Sequence, residues 1–185
     1  MGKKAVFFDR DGTLIVEKNY LHDPSAVVLE NRVIDALCLL KDNGFLFVII
    51  TNQSGIGRGY FTEDDYLTVQ VEVERLFGVH GVEFLNDYYC PHHPTKGVGQ
   101  FKKECLCRKP GTLLIEQAVK EFDLDVSESV FVGDKGSDIQ AGLSAGMSSI
   151  HVQTGHDSSN NIRDEFNGKV SSFSDLYKVA RFIVT

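Results

Sequence analysis

No stretch of this chain approaches the roughly 18 consecutive apolar residues that a membrane-crossing helix needs. Met1, Gly2, Lys3 and Lys4 lead straight into a short strand pattern, where a signal peptide would have an apolar core. These two absences predict a cytoplasmic protein with no membrane partner. Basic charge is also in deficit: 19 Lys and Arg against 26 Asp and Glu leave a formal net charge of -7. That balance argues against a nucleic-acid binder, which normally presents a basic face, so any recognition of phosphate has to be local. No linker and no internal repeat interrupts the sequence. Cysteine is scarce, and three of the 4 present, Cys90, Cys105 and Cys107, crowd into one segment. In a reducing compartment such clustering points to a metal ion rather than to disulfides. Cys38 falls on an apolar helical pattern and is assigned to the core.

What remains is ample for one fold. The 185 residues, 42% of them hydrophobic, suit a single domain spanning 1–185. Strand signals and helical periodicity alternate along its length, the signature of an α/β fold with a doubly wound, mainly parallel sheet. Ala5, Val6, Phe7 and Phe8 form the first strand. A helix with Val33, Leu37 and Leu40 at core spacing stops at Gly44, and a second strand runs from Phe45 to Ile50. Thr62 reads as the N-cap of a helix that buries Tyr66, Val69, Val73 and Leu76. A third strand covers Glu83 to Tyr89, and an irregular segment, 90–110, follows. Next come a helix with Ile115, Val119 and Phe122 inward, a strand over Val130 to Val132, and a helix to about Gly146. A strand from Ser149 to Val152 and a closing helix from Ser174 to Ile183 complete the pattern. The polar loop Asp157 to Asn161 is expected to be mobile surface.

Three strand ends carry polar residues: Asp9 with Asp11, Thr51 with Asn52, and Asp134 with Asp138. In a parallel sheet all three ends share one edge, where ligands of open α/β folds gather. Asp9 and Asp11 stand two apart on extended backbone and so point the same way, which lets one attack while the other moves a proton. A nucleophilic carboxylate, a hydroxyl and further acids able to hold a hard cation suit phosphoryl transfer, with magnesium as the fitting ion. Lys109, following Arg108, supplies positive charge for the transferring group. The second constellation is Cys90, Pro91, His92, twelve intervening residues, then Cys105, Leu106, Cys107. Three thiolates and one imidazole make the closed tetrahedral set of a structural zinc site. His93 is the spare imidazole and is assigned to solvent. His80, His151 and His156 have no partners in sequence and are read as structural or solvated.

With these residues in view, the chain resembles the haloacid dehalogenase (HAD) superfamily of phosphatases. The resemblance rests on DRDGT at Asp9 to Thr13, TNQSGIGRG at Thr51 to Gly59, CPHHP at Cys90 to Pro94, CLCRKP at Cys105 to Pro110, and GDKGSD at Gly133 to Asp138. Within the superfamily it is similar to the zinc-containing, minimally capped group of heptose-bisphosphate and histidinol-phosphate phosphatases, with Ser54-Gly55-Ile56 and Arg58-Gly59 favouring the heptose branch and Gly57 departing from it. The resemblance implies a sheet without a large cap domain, a zinc-stapled loop in its place, and an Mg-dependent phosphomonoester hydrolase. It implies that Asp9 becomes an aspartyl phosphate, that Asp11 serves as acid and then base, and that Asp9, the Asp11 carbonyl and Asp134 hold magnesium. Thr51, Asn52 and Lys109 would grip the transferring phosphate, with Tyr20, Gln53, Ser54, Arg108 and Lys135 around the rest of a phosphorylated sugar. Zinc would be held by Cys90, His92, Cys105 and Cys107. The planar guanidinium of Arg108 suits the second phosphate of a bisphosphate. A monomer is expected, and the resemblance further implies supply of nucleotide-activated heptose for lipopolysaccharide or related surface glycans. GIGRG also resembles a nucleic-acid 3′-phosphatase domain; the acidic charge, Arg10 between the two acids and the zinc quartet stand against that reading.

Overall fold

A computed structural model of the chain describes residues 2–155, 162 and 165–185. The loop 157–161 and His156, both assigned roles above, lie outside the described residues. Six strands form one parallel sheet: β1 Ala5–Phe8, β2 Leu46–Asn52, β3 Asn86–Cys90, β4 Val130–Gly133, β5 Ser148–Val152 and β6 Ser171–Phe173. Their order is β3-β2-β1-β4-β5-β6. The winding reverses between β1 and β4, which is where a doubly wound sheet opens a crevice beyond its carboxyl ends.

Strand alternation builds two cores. Val6 and Phe8 of β1, with Phe47 and Ile49 of β2, face α1 (Val33–Asp42), α3 (Glu63–Gly78) and the closing helix α6 (Leu176–Ile183). Ala5, Phe7, Val48 and Ile50 face the other way, toward α4 (Leu113–Phe122) and α5 (Gly136–Ser144). Cys38 packs, half-buried, against the first core. Helix α3 begins with a reciprocal cap: the Thr62 hydroxyl accepts from the Asp65 amide at 3.1 Å and the Asp65 carboxylate accepts from the Thr62 amide at 2.8 Å.

Several expectations need correction. The second strand continues through Thr51 and Asn52, because these residues pair with Tyr89 and Cys90 of β3. A one-turn helix, α2 (Ser54–Gly57), follows Gln53 and escaped the sequence reading, as did the three-residue β6. The third strand starts later than expected and ends on Cys90. On α3 the buried series is Tyr66, Val69, Val73 and Phe77, while Leu76 is half-buried; a step of four from Val73 keeps Phe77 on the core stripe. Among the described residues no second layer of structure caps the carboxyl edge, and no helix is long and apolar enough to cross a membrane.

Candidate active site

The first strand ends at Phe8, so Asp9 emerges at the crevice. Its neighbours Arg10 to Ile15 close into a tight loop in which the Arg10 carbonyl accepts from the Leu14 and Ile15 amides at 2.9 and 3.1 Å. Gly12 takes φ +87°, and a Cβ there would lie 2.7 Å from Asp134 Oδ2, so the turn brings β1 and β4 together only without a side chain. Asp9, Asp134 and Asp138 are all buried, and one carboxylate oxygen from each lies within 4.8 Å of the others. Three like charges so close need compensation. Lys109, also buried, supplies it with Nζ at 2.8 Å from Asp9 Oδ1, 2.8 Å from Asp138 Oδ1 and 2.6 Å from the Ile50 carbonyl. Lys135 Nζ lies 3.3 Å from Asp134 Oδ1, 3.7 Å from Asp9 Oδ2 and 3.6 Å from Glu17 Oε2.

The balance of these terms splits the acids. Burial alone would raise the Asp9 pKa, but Lys109 and Lys135 outweigh it and lower this carboxyl to about 2. Burial and then the charge of Asp9 push Asp134 up to about 8. Asp138 is raised too, by burial first, with Lys109 opposing. Burial would lower Lys109, yet Asp138 and Asp9 raise it above the ordinary value, so it stays charged. Asp9 is thus held toward its anion against a cation, and Asp134 is held toward its protonated form, a bias that a divalent ion would reverse. An all-oxygen cluster of this kind is suited to magnesium.

A cavity of ≈ 270 Å³ opens over Asp9 and Asp11 and is also lined by Tyr20, Thr51, Asn52, Gln53, Ser54, Arg108, Lys109 and Lys135. The structure therefore brings together the residues that the sequence scattered over four loops, with Asp134 just beneath. Within this set Asn52 is spent on the backbone of Lys109: Oδ1 accepts from the Lys109 amide at 3.0 Å and Nδ2 donates to its carbonyl at 3.2 Å. Gln53 Nε2 donates to Asp11 Oδ2 at 2.8 Å and to Thr51 Oγ1 at 2.9 Å. At the rim the Tyr20 hydroxyl accepts from Arg58 at 2.7 Å, and Tyr60 meets the Tyr20 ring edge-on at 4.6 Å. Arg58 entered the sequence reading only as part of the resemblance, without a role, and Tyr60 was not singled out, although both continue the glycine-rich run after Thr51. Asp138, whose relation to the metal the sequence left open, joins the acid cluster, and its Oδ2 also accepts from the Lys135 amide at 3.0 Å.

Beside the cavity, Cys90 Sγ lies 3.2 Å from Cys107 Sγ and 3.6 Å from Cys105 Sγ, and His92 Nδ1 lies 3.2 Å from Cys107 Sγ. Tetrahedral zinc with Zn–S near 2.3 Å spaces its thiolates about 3.8 Å apart, close to what is seen, whereas a disulfide needs about 2.05 Å. The donor set therefore suits zinc. A Cβ on Gly57 would collide with the Pro91 carbonyl, so α2 sits directly against this segment. Arg108 Nη1 donates to the His92 carbonyl at 3.2 Å, tying the cavity wall to the Cys/His cluster. His93 is half-buried at the surface, where its Nδ1 accepts from the Thr95 and Lys96 amides at 3.3 and 3.0 Å. His151, fully buried, bridges Ser172 Oγ at 2.8 Å and the Asp134 carbonyl at 3.3 Å, a structural role behind the acid cluster.

A doubly wound sheet with clustered aspartates at its carboxyl edge and no large cap is the architecture of HAD-like hydrolases, and the HAD-hydrolase-like family model matches residues 106–177. The chain is 42% identical over 153 residues to a D-glycero-beta-D-manno-heptose-1,7-bisphosphate 7-phosphatase of Haemophilus influenzae, covering 82% of this chain and 83% of the relative. It is 41% identical over 157 residues to a D-glycero-alpha-D-manno-heptose-1,7-bisphosphate 7-phosphatase of Photorhabdus laumondii, covering 84% and 86%. Among solved structures, a D,D-heptose 1,7-bisphosphate phosphatase of B. bronchiseptica complexed with magnesium and phosphate superposes with TM-score 0.85 at 26% identity, over 98% of both chains. The chain belongs to the heptose-1,7-bisphosphate 7-phosphatase family of HAD-like hydrolases.

Proposed function

We propose that this protein removes the 7-phosphate of D-glycero-D-manno-heptose 1,7-bisphosphate by passing it through Asp9. The observation that carries the reading is the Asp9 carboxylate set 2.8 Å from the Lys109 Nζ in the cavity that Asp11 also lines. An Asp9 oxygen attacks phosphorus and the bond to the sugar oxygen breaks, while Asp11 gives that oxygen a proton. Asp11 then takes a proton from the water that attacks the aspartyl phosphate, which restores both carboxyls. Lys109 and the Thr51 hydroxyl face the transferring group, and Asn52 acts by fixing the Lys109 backbone. Asp9, the Asp11 carbonyl and Asp134 would hold magnesium, with Asp138 beside them. When bound, the ion neutralises charge on the phosphate and on these carboxylates.

Arg108 and Lys135 add two cations to the walls of the same cavity, which suits a substrate that keeps a second phosphate. Gln53, Ser54 and Tyr20 lie where the sugar would sit. Cys90, His92, Cys105 and Cys107 would hold a structural zinc that staples 90–110 and so places Arg108 and Lys109. The thiol-rich site supports a cytoplasmic setting, and the substrate supports a place in supplying activated heptose for lipopolysaccharide.

Phosphate release is measured with magnesium from both anomers of heptose 1,7-bisphosphate, histidinol phosphate and a 3′-phosphorylated oligonucleotide. The heptose bisphosphate is expected to be preferred and Asp9→Asn to abolish turnover. Preference for histidinol phosphate would replace the substrate assignment; full activity of Asp9→Asn would remove the nucleophile.

A further inference from the structure

A fully buried arginine beside a catalytic pair is expensive to bury and demands an explanation. Arg10 forks onto its neighbour: Nε lies 3.0 Å from Asp11 Oδ2 and Nη2 lies 3.2 Å from Asp11 Oδ1. The guanidinium stands 5.0 Å from the centre of the Tyr66 ring, whose hydroxyl is anchored by donation to Asp87 Oδ2 at 2.8 Å. Burial would depress the Arg10 guanidinium, but Asp11 more than offsets it and keeps the cation. Asp11 itself is held at the cavity wall with 14% of its side chain exposed.

A carboxylate offers about four lone-pair positions, two on each oxygen. On Oδ2 one meets Arg10 and the other meets Gln53 at 2.8 Å. On Oδ1 one meets Arg10, which among the described residues leaves a single open position, and it is on Oδ1. We propose that Arg10 is a positioning residue that, with Gln53, locks the Asp11 carboxyl so that Oδ1 is the atom that gives and takes the proton. The inference rests on Asp11 being the acid and base of the proposed reaction. In the first step the Oδ1 proton goes to the sugar oxygen as its bond to phosphorus breaks; in the second, Oδ1 receives a proton from the attacking water. Only a planar fork fixes both oxygens at once, so lysine cannot replace Arg10.

The test compares two substrates in Arg10→Met and Arg10→Lys. Heptose 1,7-bisphosphate releases an alkoxide that needs a proton, whereas p-nitrophenyl phosphate releases a phenolate that does not. Loss of positioned proton transfer lowers kcat/KM for the heptose substrate by roughly 10²-fold in both variants, and at least about tenfold less for the aryl phosphate. Because the second step also needs Oδ1, the variants should release p-nitrophenol in a burst followed by slow turnover. A purely structural role would lower both substrates equally and give no burst; that result, or wild-type activity in Arg10→Lys, overturns the proposal. Thermal midpoints check folding, and if Arg10→Met does not fold, Arg10→Lys, which keeps a buried cation, carries the comparison. Wild-type protein inactive on both substrates would sink the phosphatase reading and this assignment together. An active wild type with equal losses in the variants would sink the Arg10 assignment alone.

Discussion

Replacing Lys109 with methionine removes one of the two cations that face three buried carboxylates. The side chains are similar in length, so the change is chiefly one of charge. At an effective dielectric near 20, each 2.8 Å contact of Lys109, to Asp9 and to Asp138, represents about 6 kcal/mol of gross attraction, most of it offset by desolvation of the ions. Stranding a buried partner typically costs about 3–5 kcal/mol. Two carboxylates are stranded here, but the total does not double: burial raises the Asp138 pKa, so without Lys109 this acid relieves its share by taking up a proton. Metal-free Lys109→Met should therefore lose about 3–5 kcal/mol at neutral pH, read from the urea midpoint at unchanged slope. Saturating magnesium should shrink the deficit, since the ion supplies charge to the same cluster. Turnover should fall by about 10²–10³, the usual cost of losing one electrostatic donor to a transition state. A metal-free variant within about 1 kcal/mol of wild type would refute the claim that Lys109 balances Asp9 and Asp138.

Two further outcomes follow from the same charges. Asp134 has its pKa raised from 3.8 to about 8 in the folded, metal-free protein, so the folded state holds a proton there that the unfolded chain gives up. Its contribution to stability is full below about pH 4 and is lost progressively as pH rises to about 8, and magnesium, which favours the ionised acid, reverses that loss. The increase in Tm on adding magnesium should thus grow from pH 5.5 to 8.5 and be nearly flat in Asp134→Asn; a pH-independent increase in the wild type would contradict the assignment. At the Cys/His cluster, Cys107→Ser should lower bound zinc, measured by elemental analysis, and open 91–112 to limited proteolysis, with activity falling because Arg108 and Lys109 lie within that segment; unchanged zinc content would count against the ligand set.

Much of the fold was legible because its signals are local. The apolar run Ala5 to Phe8 before Asp9, the Thr62 cap and the core spacing of Val33, Leu37 and Leu40 each depend on residues within a turn or two of one another. The cysteine and histidine spacing likewise marked out four side chains that lie together. Harder to read were elements whose existence depends on a distant neighbour. The strand of Ser171–Phe173 is too short to show alternation and exists by pairing with β5, while Thr51 and Asn52 look like a turn until β3 extends alongside them.

The sequence by itself marked Asp9, Thr51 and Asp134 as lying near strand ends, because alternation and breaker residues act over a few positions. Only tertiary structure decided what each of them touches. Asn52 clamps a lysine 57 positions away, Asp138 enters the cluster of Asp9 and Asp134, and Arg10 turns inward onto Asp11 above the Tyr66 ring. These pairings follow from the strand order and from burial, which strips water from charged groups and leaves them stable only where a partner arrives, from a distant strand end or, for Arg10, from the next residue.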